Sequence, residues 1–214
     1  MLYTETVAPT TLALLKRFMV DPAFSHFVLV GGTSLSLQLG HRISVDLDMF
    51  TNETFNENDL SDYLRLTYRF ELDFLDKETV KGEIEGVKID CIAHKYPWLH
   101  VPIIEDTVRL AGFDDMAAMK LNAIVGNGTR IKDFIDVAFM SGKISLNEML
   151  SAYENKYRSN ALMALKALTY YGDIHFDEPI RMLDKQRFDW RKIEKQIAIM
   201  IRYPDTVFES SHFY

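Results

Sequence analysis

Apolar and polar positions change their period several times along the chain, and each change marks an element. Leu12, Leu14, Leu15, Phe18 and Met19 form a helical stripe behind Pro9, which predicts a helix over residues 8–20. Phe27-Val28-Leu29-Val30 is an unbroken apolar run and reads as a short buried strand. Gly31-Gly32 breaks the run, Thr33 and Ser34 follow as helix N-caps, and a short helix through Leu35, Leu37 and Leu39 ends at Gly40. After His41-Arg42 the period becomes two. Ile43, Val45, Leu47 and Met49 then share one strand face, and Ser44, Asp46, Asp48 and Phe50 share the other. Past the polar stretch TNETFNENDL, residues 59–68 read as a helix. Strand-like runs follow over 69–75, 79–85 and 87–93, with Glu85-Gly86 as a tight turn between the last two.

Beyond about residue 105 the alternation gives way to helical patterns. Asp114-Asp115 open a helix that stops near Gly126, Asn127-Gly128 make a turn, and the next helix begins near Arg130. Ser145 and Glu148 form a capping box ahead of a helix to about residue 158, and two more helices are expected over 160–171 and 189–202. The shift predicts a sheet-containing part over 1–105 and a helical part over 106–214 that completes a shared cleft. The fold class expected is α/β of mixed α+β character: a small mixed sheet flanked by helices, with a C-terminal helical region.

Composition narrows the picture only modestly. With 214 residues, 48% apolar and 26% charged, the chain can bury a real core. No run approaches the ~20 apolar residues of a membrane span, so no membrane partner is expected. One cysteine, Cys91, excludes an internal disulfide framework, and the opening MLYTETVAPT lacks the layout of a secretory signal. A reducing cytoplasm is the expected compartment. A net charge of −7 argues against wholesale coating of nucleic acid but leaves room for a local basic groove.

The chemistry gathers on the second strand. Carboxylates at i and i+2 of a strand stand roughly 6.5 Å apart at their backbones, given a rise of about 3.3 Å per residue. Asp46 and Asp48 could close on a hard divalent cation such as Mg²⁺, which prefers oxygen ligands and shares them with substrate phosphates. Gly31-Gly32-Thr33-Ser34 lets backbone N–H groups approach an anion at a helix N-terminus. A phosphate cradle joined to Asp-x-Asp by a short helix predicts a nucleoside triphosphate site. Asp90 alternates with Val87, Ile89 and Cys91 and so lies on the face away from them. Lys120 lies near the apolar stripe of its helix, where it either snorkels or meets an anion. Asp133 and Asp136 share a face of the next helix. His94 and His100 are isolated, no Cys/His spacing suggests zinc, and no hydrolase elbow is present. Residues 181–195 hold six basic and three acidic residues with Phe188 and Trp190 between them, which reads first as the wet side of a helix and second as an RNA surface.

The order Gly-Gly-Thr, spacer, Asp-x-Asp resembles the nucleotidyltransferases of DNA polymerase β type. The wording GGTSLSLQLGHRISVDLDMF resembles, more closely, the bacterial abortive-infection toxins of the AbiEii/AbiGii type. That resemblance implies a nucleotidyltransferase fold and a toxin of a toxin–antitoxin or phage-defence pair. It implies two Mg²⁺ ions on Asp46, Asp48 and Asp90, with Lys120 also in the catalytic set. Gly31, Gly32, Thr33, Ser34, Arg42, Ser44, Lys120, Arg130, Asp133 and Asp136 would bind the nucleotide. The family often carries an arginine before the turn glycine. Asn127 stands there in this chain, and Arg130 would take over that part. The implied reaction transfers a nucleoside monophosphate from a nucleoside triphosphate to an acceptor such as a tRNA 3′ end, and the implied partner is a cognate antitoxin. AMPylation-like modification of a protein hydroxyl and a nucleotide-binding module without catalysis are the rival expectations.

Overall fold

The computed structural model describes residues 1–183 and 188–208. Two compact units are present: Met1–Pro97 with Pro102–Ala111, and Trp98–Val101 with Gly112–Tyr214.

In the first unit, helix α1 (Pro9–Val20) starts on its proline and buries Leu14, Leu15, Phe18 and Met19. Strand β1 (Val28–Val30) is wholly buried and passes directly into α2 (Gly31–Leu39), which Gly40 ends in the left-handed conformation at φ 68°. Strand β2 (Leu47–Thr51) and helix α3 (Glu57–Tyr68) follow, the helix capped by the Asn56 side chain. Then come β3 (Glu71–Asp76), β4 (Thr79–Ile84), β5 (Val87–Ala93), β6 (Ile103–Glu105) and β7 (Val108–Leu110). They form one mixed sheet in the order β3-β4-β5-β2-β1-β7-β6. β2 runs antiparallel to β1 and parallel to β5, while β1 runs parallel to β7.

The core of this unit is built from the residues that the strand periods put on one face. Leu29, Leu47, Met49, Val80, Ile84, Ile89 and Cys91 are fully buried. Phe18 stacks on Phe24 with ring centroids 4.0 Å apart, and Tyr68 meets Phe18 edge-on at 5.1 Å. The Arg109 guanidinium donates to the carbonyls of Met19, Phe24 and Phe27 at 2.9, 2.7 and 3.0 Å. That fork ties the end of α1 and the following loop to β7, and burial lowers the pKa of the guanidinium.

Three sequence expectations give way here. The strand does not begin at Ile43: Val45 is 55% exposed and β2 starts at Leu47. Ser44 instead pairs with the N-terminal segment, its N–H donating to the Thr6 carbonyl, so residues 43–46 follow a different neighbour from β2. Thr33 and Ser34 are not N-caps. Val30 holds that position, and both residues lie buried inside the helix. The sheet also continues past residue 105, because β6 and β7 form a hairpin that ends the first unit at Ala111. Its turn residues Asp106 and Thr107 take φ of 50° and 71° without a glycine, so the usual composition signal was missing. Glu85-Gly86 makes the tight turn expected of it, with φ of 52° and 81°.

The second unit is helical: α4 (Phe113–Gly126), α5 (Ile131–Met140), α6 (Leu146–Tyr157), α7 (Ala161–Leu168) and α8 (Trp190–Arg202). Met116, Leu121, Phe134, Ile135, Met149, Tyr153, Leu168, Ile197 and Met200 are among its buried residues. The Trp190 ring meets Phe134, Tyr171 and Phe176 edge-on, so this aromatic belongs to a packed cluster. Residues 184–187 of the basic run lie outside the described residues. The Ser145–Glu148 capping box is formed on both sides. Ser145→Ala is expected to cost about 1 kcal/mol, read as a lower denaturation midpoint without a change of slope. Among the described residues no helix is long and apolar enough to cross a membrane.

Candidate active site

The site in the first unit forms where β1 hands over to α2. Gly31 takes φ +70°, and a Cβ there would lie 1.8 Å from Asp48 Oδ2. Only glycine lets the backbone turn this way while the carboxylate packs against it. A Cβ on Gly32 would meet the Arg42 guanidinium at 2.4 Å and the Ser44 hydroxyl at 3.2 Å. The opening N–H groups of a helix have no carbonyl partner within it, so this bend presents donors beside a carboxylate. Gly31→Ala is therefore expected to lose the site geometry as well as stability, the left-handed backbone alone costing about 1–2 kcal/mol. Loss of nucleotide-dependent thermal stabilisation together with a lower melting temperature would show it.

Register across the sheet assembles the rest. Asp48 on β2 is the register partner of Val30 on β1 and of Asp90 on β5. Asp90 is in turn the partner of Lys81 on β4. Residues directly opposite one another project from the same sheet face, so Lys81, Asp90 and Asp48 form a row that ends beside Gly31. The Lys81 ammonium donates to Asp90 Oδ2 at 2.6 Å, with the two side chains 37% and 31% exposed. Asp46 sits one residue before β2 and is exposed. Its carbonyl accepts from the Thr33 hydroxyl, which lies 2.9 Å from the Ser44 hydroxyl. Next to Asp90, the Cys91 thiol is pushed well up by complete burial and then by the Asp90 charge, which keeps it protonated and unreactive.

Of the residues predicted for the site, the structure brings Gly31, Gly32, Thr33, Arg42, Ser44, Asp48 and Asp90 to one region of the first unit. Arg42 is buried with its guanidinium against Gly32. Ser34 is fully buried and its hydroxyl accepts from the Gln38 amide at 3.1 Å. Asp46 also belongs to the first unit, whereas Lys120, Arg130, Asp133 and Asp136 belong to the second. There the Lys120 ammonium lies 2.7 Å from Asp133 Oδ1 and 2.8 Å from Asp136 Oδ2, with all three residues buried. Lys120 therefore does not snorkel to water; two carboxylates from α5 hold it in place. Arg130 is exposed at the N-cap of α5.

The oxygen donors Asp48 and Asp90, side by side on adjacent strands, suit the hard divalent cation that the resemblance implies. The Lys81 ammonium already at Asp90 shows that this oxygen accepts positive charge. Among the described residues, no three His, Cys, Asp or Glu side chains cluster as a closed cation site.

Sequence reasoning missed Lys81, although its signal was present. A two-residue turn at Glu85-Gly86 fixes the pairing Ile84 with Val87 and, three steps on, Lys81 with Asp90. A buried ion pair in the second unit was missed as well. The Lys156 ammonium lies 2.7 Å from Asp115 Oδ1 with both side chains fully buried, and it stands 4.9 Å over the Trp98 ring. Asp115 Oδ2 also accepts from the backbone N–H groups of Leu99 and His100. Lys156 follows Leu146, Met149 and Tyr153 on the apolar stripe of α6, which was its signal.

A cavity of about 670 Å³ in the second unit is lined by residues that include His100, Asp114, Ser145, Glu148 and Asp205. Its carboxylates are already engaged: Asp114 with His100, Glu148 in the capping box and Asp205 with Asn147. None of the predicted site residues lines it, and the glycine bend with its row of charges is the stronger candidate for chemistry.

Residues 13–98, which span this bend and the row, match the family of nucleotidyl transferase AbiEii toxins of type IV toxin–antitoxin systems. The chain belongs to that family. An uncharacterised protein of Aquifex aeolicus is 32% identical over 154 residues, which cover 69% of this chain and 74% of the relative. A crystal structure described as a candidate nucleotidyltransferase from H. pylori aligns with a TM-score of 0.60 at 18% identity, covering 92% of this chain and 96% of the other. JHP933 from Helicobacter pylori aligns at 0.56 and 16%, covering 93% of each chain. At these identities the two structures speak for the fold. The AbiEii match also gives the handover from β1 to α2 its context, since the matched segment contains both the glycine bend and the carboxylate row.

Proposed function

We propose that this AbiEii-family chain transfers a nucleoside monophosphate from a nucleoside triphosphate to a hydroxyl of RNA, as the toxin of a toxin–antitoxin pair whose antitoxin is its cellular partner. The observation that carries this reading is the register of Asp48 with Asp90 beside the φ +70° bend at Gly31. Backbone N–H groups at the start of α2 donate to phosphate oxygens, and the absent side chains of Gly31 and Gly32 leave room for their approach. Asp48 and Asp90, with Asp46 two residues upstream, would hold Mg²⁺, which supplies charge neutralisation to the attacking and leaving oxygens. Asp90 takes the proton of the attacking hydroxyl. That oxygen bonds to the α-phosphorus, the bond to the β-phosphate bridging oxygen breaks, and pyrophosphate leaves.

The test is incubation with each of four α-³²P nucleoside triphosphates, Mg²⁺ and total bacterial RNA, beside the Asp46→Ala/Asp48→Ala variant. Label on an RNA band with wild type alone is the expected result, and it identifies acceptor and base together. Label on protein selects protein modification instead. No transfer by folded protein that still binds nucleotide selects a binding module.

A further inference from the structure

Lys81 has no part in the reading above, yet its ammonium makes a direct charged contact with the carboxylate row. Its ammonium is 2.6 Å from Asp90 Oδ2, and the two residues are register partners on neighbouring strands. The pairing is set by the backbone: the two-residue turn at Glu85-Gly86 places Lys81 opposite Asp90 in the β4–β5 ladder. Gly82, the next residue of β4, lies against β3, where a Cβ would meet the Glu71 carbonyl at 2.0 Å. That close approach pins β4 at the step beside Lys81. Lys81 is 37% exposed, so its flexible stem can swing its head group away from Asp90 without breaking the core.

We propose that Lys81 is the resident cation of the carboxylate row, holding Asp90 in place beside Asp48 until a divalent ion displaces it. This rests on the nucleotidyl-transfer reading, since it takes Asp48 and Asp90 as the ligands. Two negative charges on adjacent strands repel one another, and the ammonium at Asp90 offsets that repulsion. The same ammonium competes with any other cation for Asp90 Oδ2. Binding of a divalent ion therefore includes the cost of releasing Lys81, and the freed ammonium becomes a donor for an anionic group arriving with the ion, such as a phosphate oxygen. The site is thereby tuned to bind metal and nucleotide together and to bind metal alone weakly. Lys81 is a positioning residue in this scheme.

The experiment is Mn²⁺ binding followed by electron paramagnetic resonance, with and without a non-hydrolysable nucleoside triphosphate, on wild type, Lys81→Met, Lys81→Arg, Asp48→Asn, Asp90→Asn and the double variant Lys81→Met/Asp90→Asn. Without nucleotide, Lys81→Met is expected to bind Mn²⁺ about 5–10-fold more tightly than wild type, because a competing charge has gone. Lys81→Arg should stay near wild type. With Asp90 also neutralised, the gain should vanish. Nucleotide should tighten Mn²⁺ binding in wild type by a larger factor than in Lys81→Met. Mn²⁺ binding that depends on Asp48 but is the same in wild type and Lys81→Met overturns the role of Lys81 and leaves the nucleotidyl-transfer reading standing. Mn²⁺ binding that is indifferent to both Asp48→Asn and Asp90→Asn overturns both. Circular dichroism spectra of each variant exclude loss of fold as the cause.

Discussion

Asp48→Asn is expected to reduce nucleotidyl transfer by about 10²–10³-fold or more while the protein remains folded. The side chain keeps its shape and only its charge is lost, so packing against Gly31 survives. Asp48 lies on β2 between Val30 and Asp90, half-buried in a strand whose other face carries Leu47 and Met49 in the core. The core face does not change in the variant, so stability should change by no more than the roughly 0.5 kcal/mol typical of substitutions away from the core, about 1–2 °C in melting temperature. Transfer of α-³²P label measured at saturating nucleotide, beside a thermal melt, separates the two effects. Full activity in Asp48→Asn would remove Asp48 from the chemistry and, with it, the proposed cation site.

The second large effect is on stability, and it lies in the other unit. Asp115→Ala is expected to destabilise that unit by about 3–5 kcal/mol, because it leaves the Lys156 ammonium buried with no counter-charge. Asp115 also receives the N–H groups of Leu99 and His100, so the segment Trp98–Val101 loses its anchor on α4 at the same time. At roughly 2–4 °C per kcal/mol for a chain of this size, the melting temperature should fall by about 6–20 °C. Lys156→Met alone leaves Asp115 buried and only partly satisfied, and it too should be strongly destabilising. The double variant Asp115→Leu/Lys156→Met should recover most of the loss, since an apolar pair avoids the desolvation of two charges. A double variant no more stable than the singles would mean that the backbone bonds to Asp115, rather than the ion pair, hold the segment.

Much of the site was legible in the sequence, and the misses have definite causes. The glycine bend, the helix after it and the alternation through Asp48 and Asp90 are local patterns, and the structure contains each of them. Asp46 was read into the same strand because the alternation ran on from Ile43. It fell outside because Ser44 is bonded to the Thr6 carbonyl, a contact made across 38 residues of chain. Thr33 and Ser34 carried the composition of caps, but the strand runs into the helix without a break and Val30 took that place. The hairpin of β6 and β7 was overlooked because Asp106 and Thr107 turn it without glycine.

What the sequence by itself determined is most of the elements, the mixed α/β class and the glycine bend preceding a carboxylate strand. Each depends on neighbours within a few positions, through helix and strand periods and turn chemistry. What only the tertiary structure decided is which charge meets which. Lys81 reaches Asp90 across a hairpin, Lys120 reaches Asp133 and Asp136 across two helices, and Lys156 reaches Asp115 from 41 residues away. A lysine on an apolar stripe has the same sequence signature whether it snorkels to water or is buried. The difference is set by whether the fold brings a carboxylate to it, because an unpaired charge cannot remain in the interior.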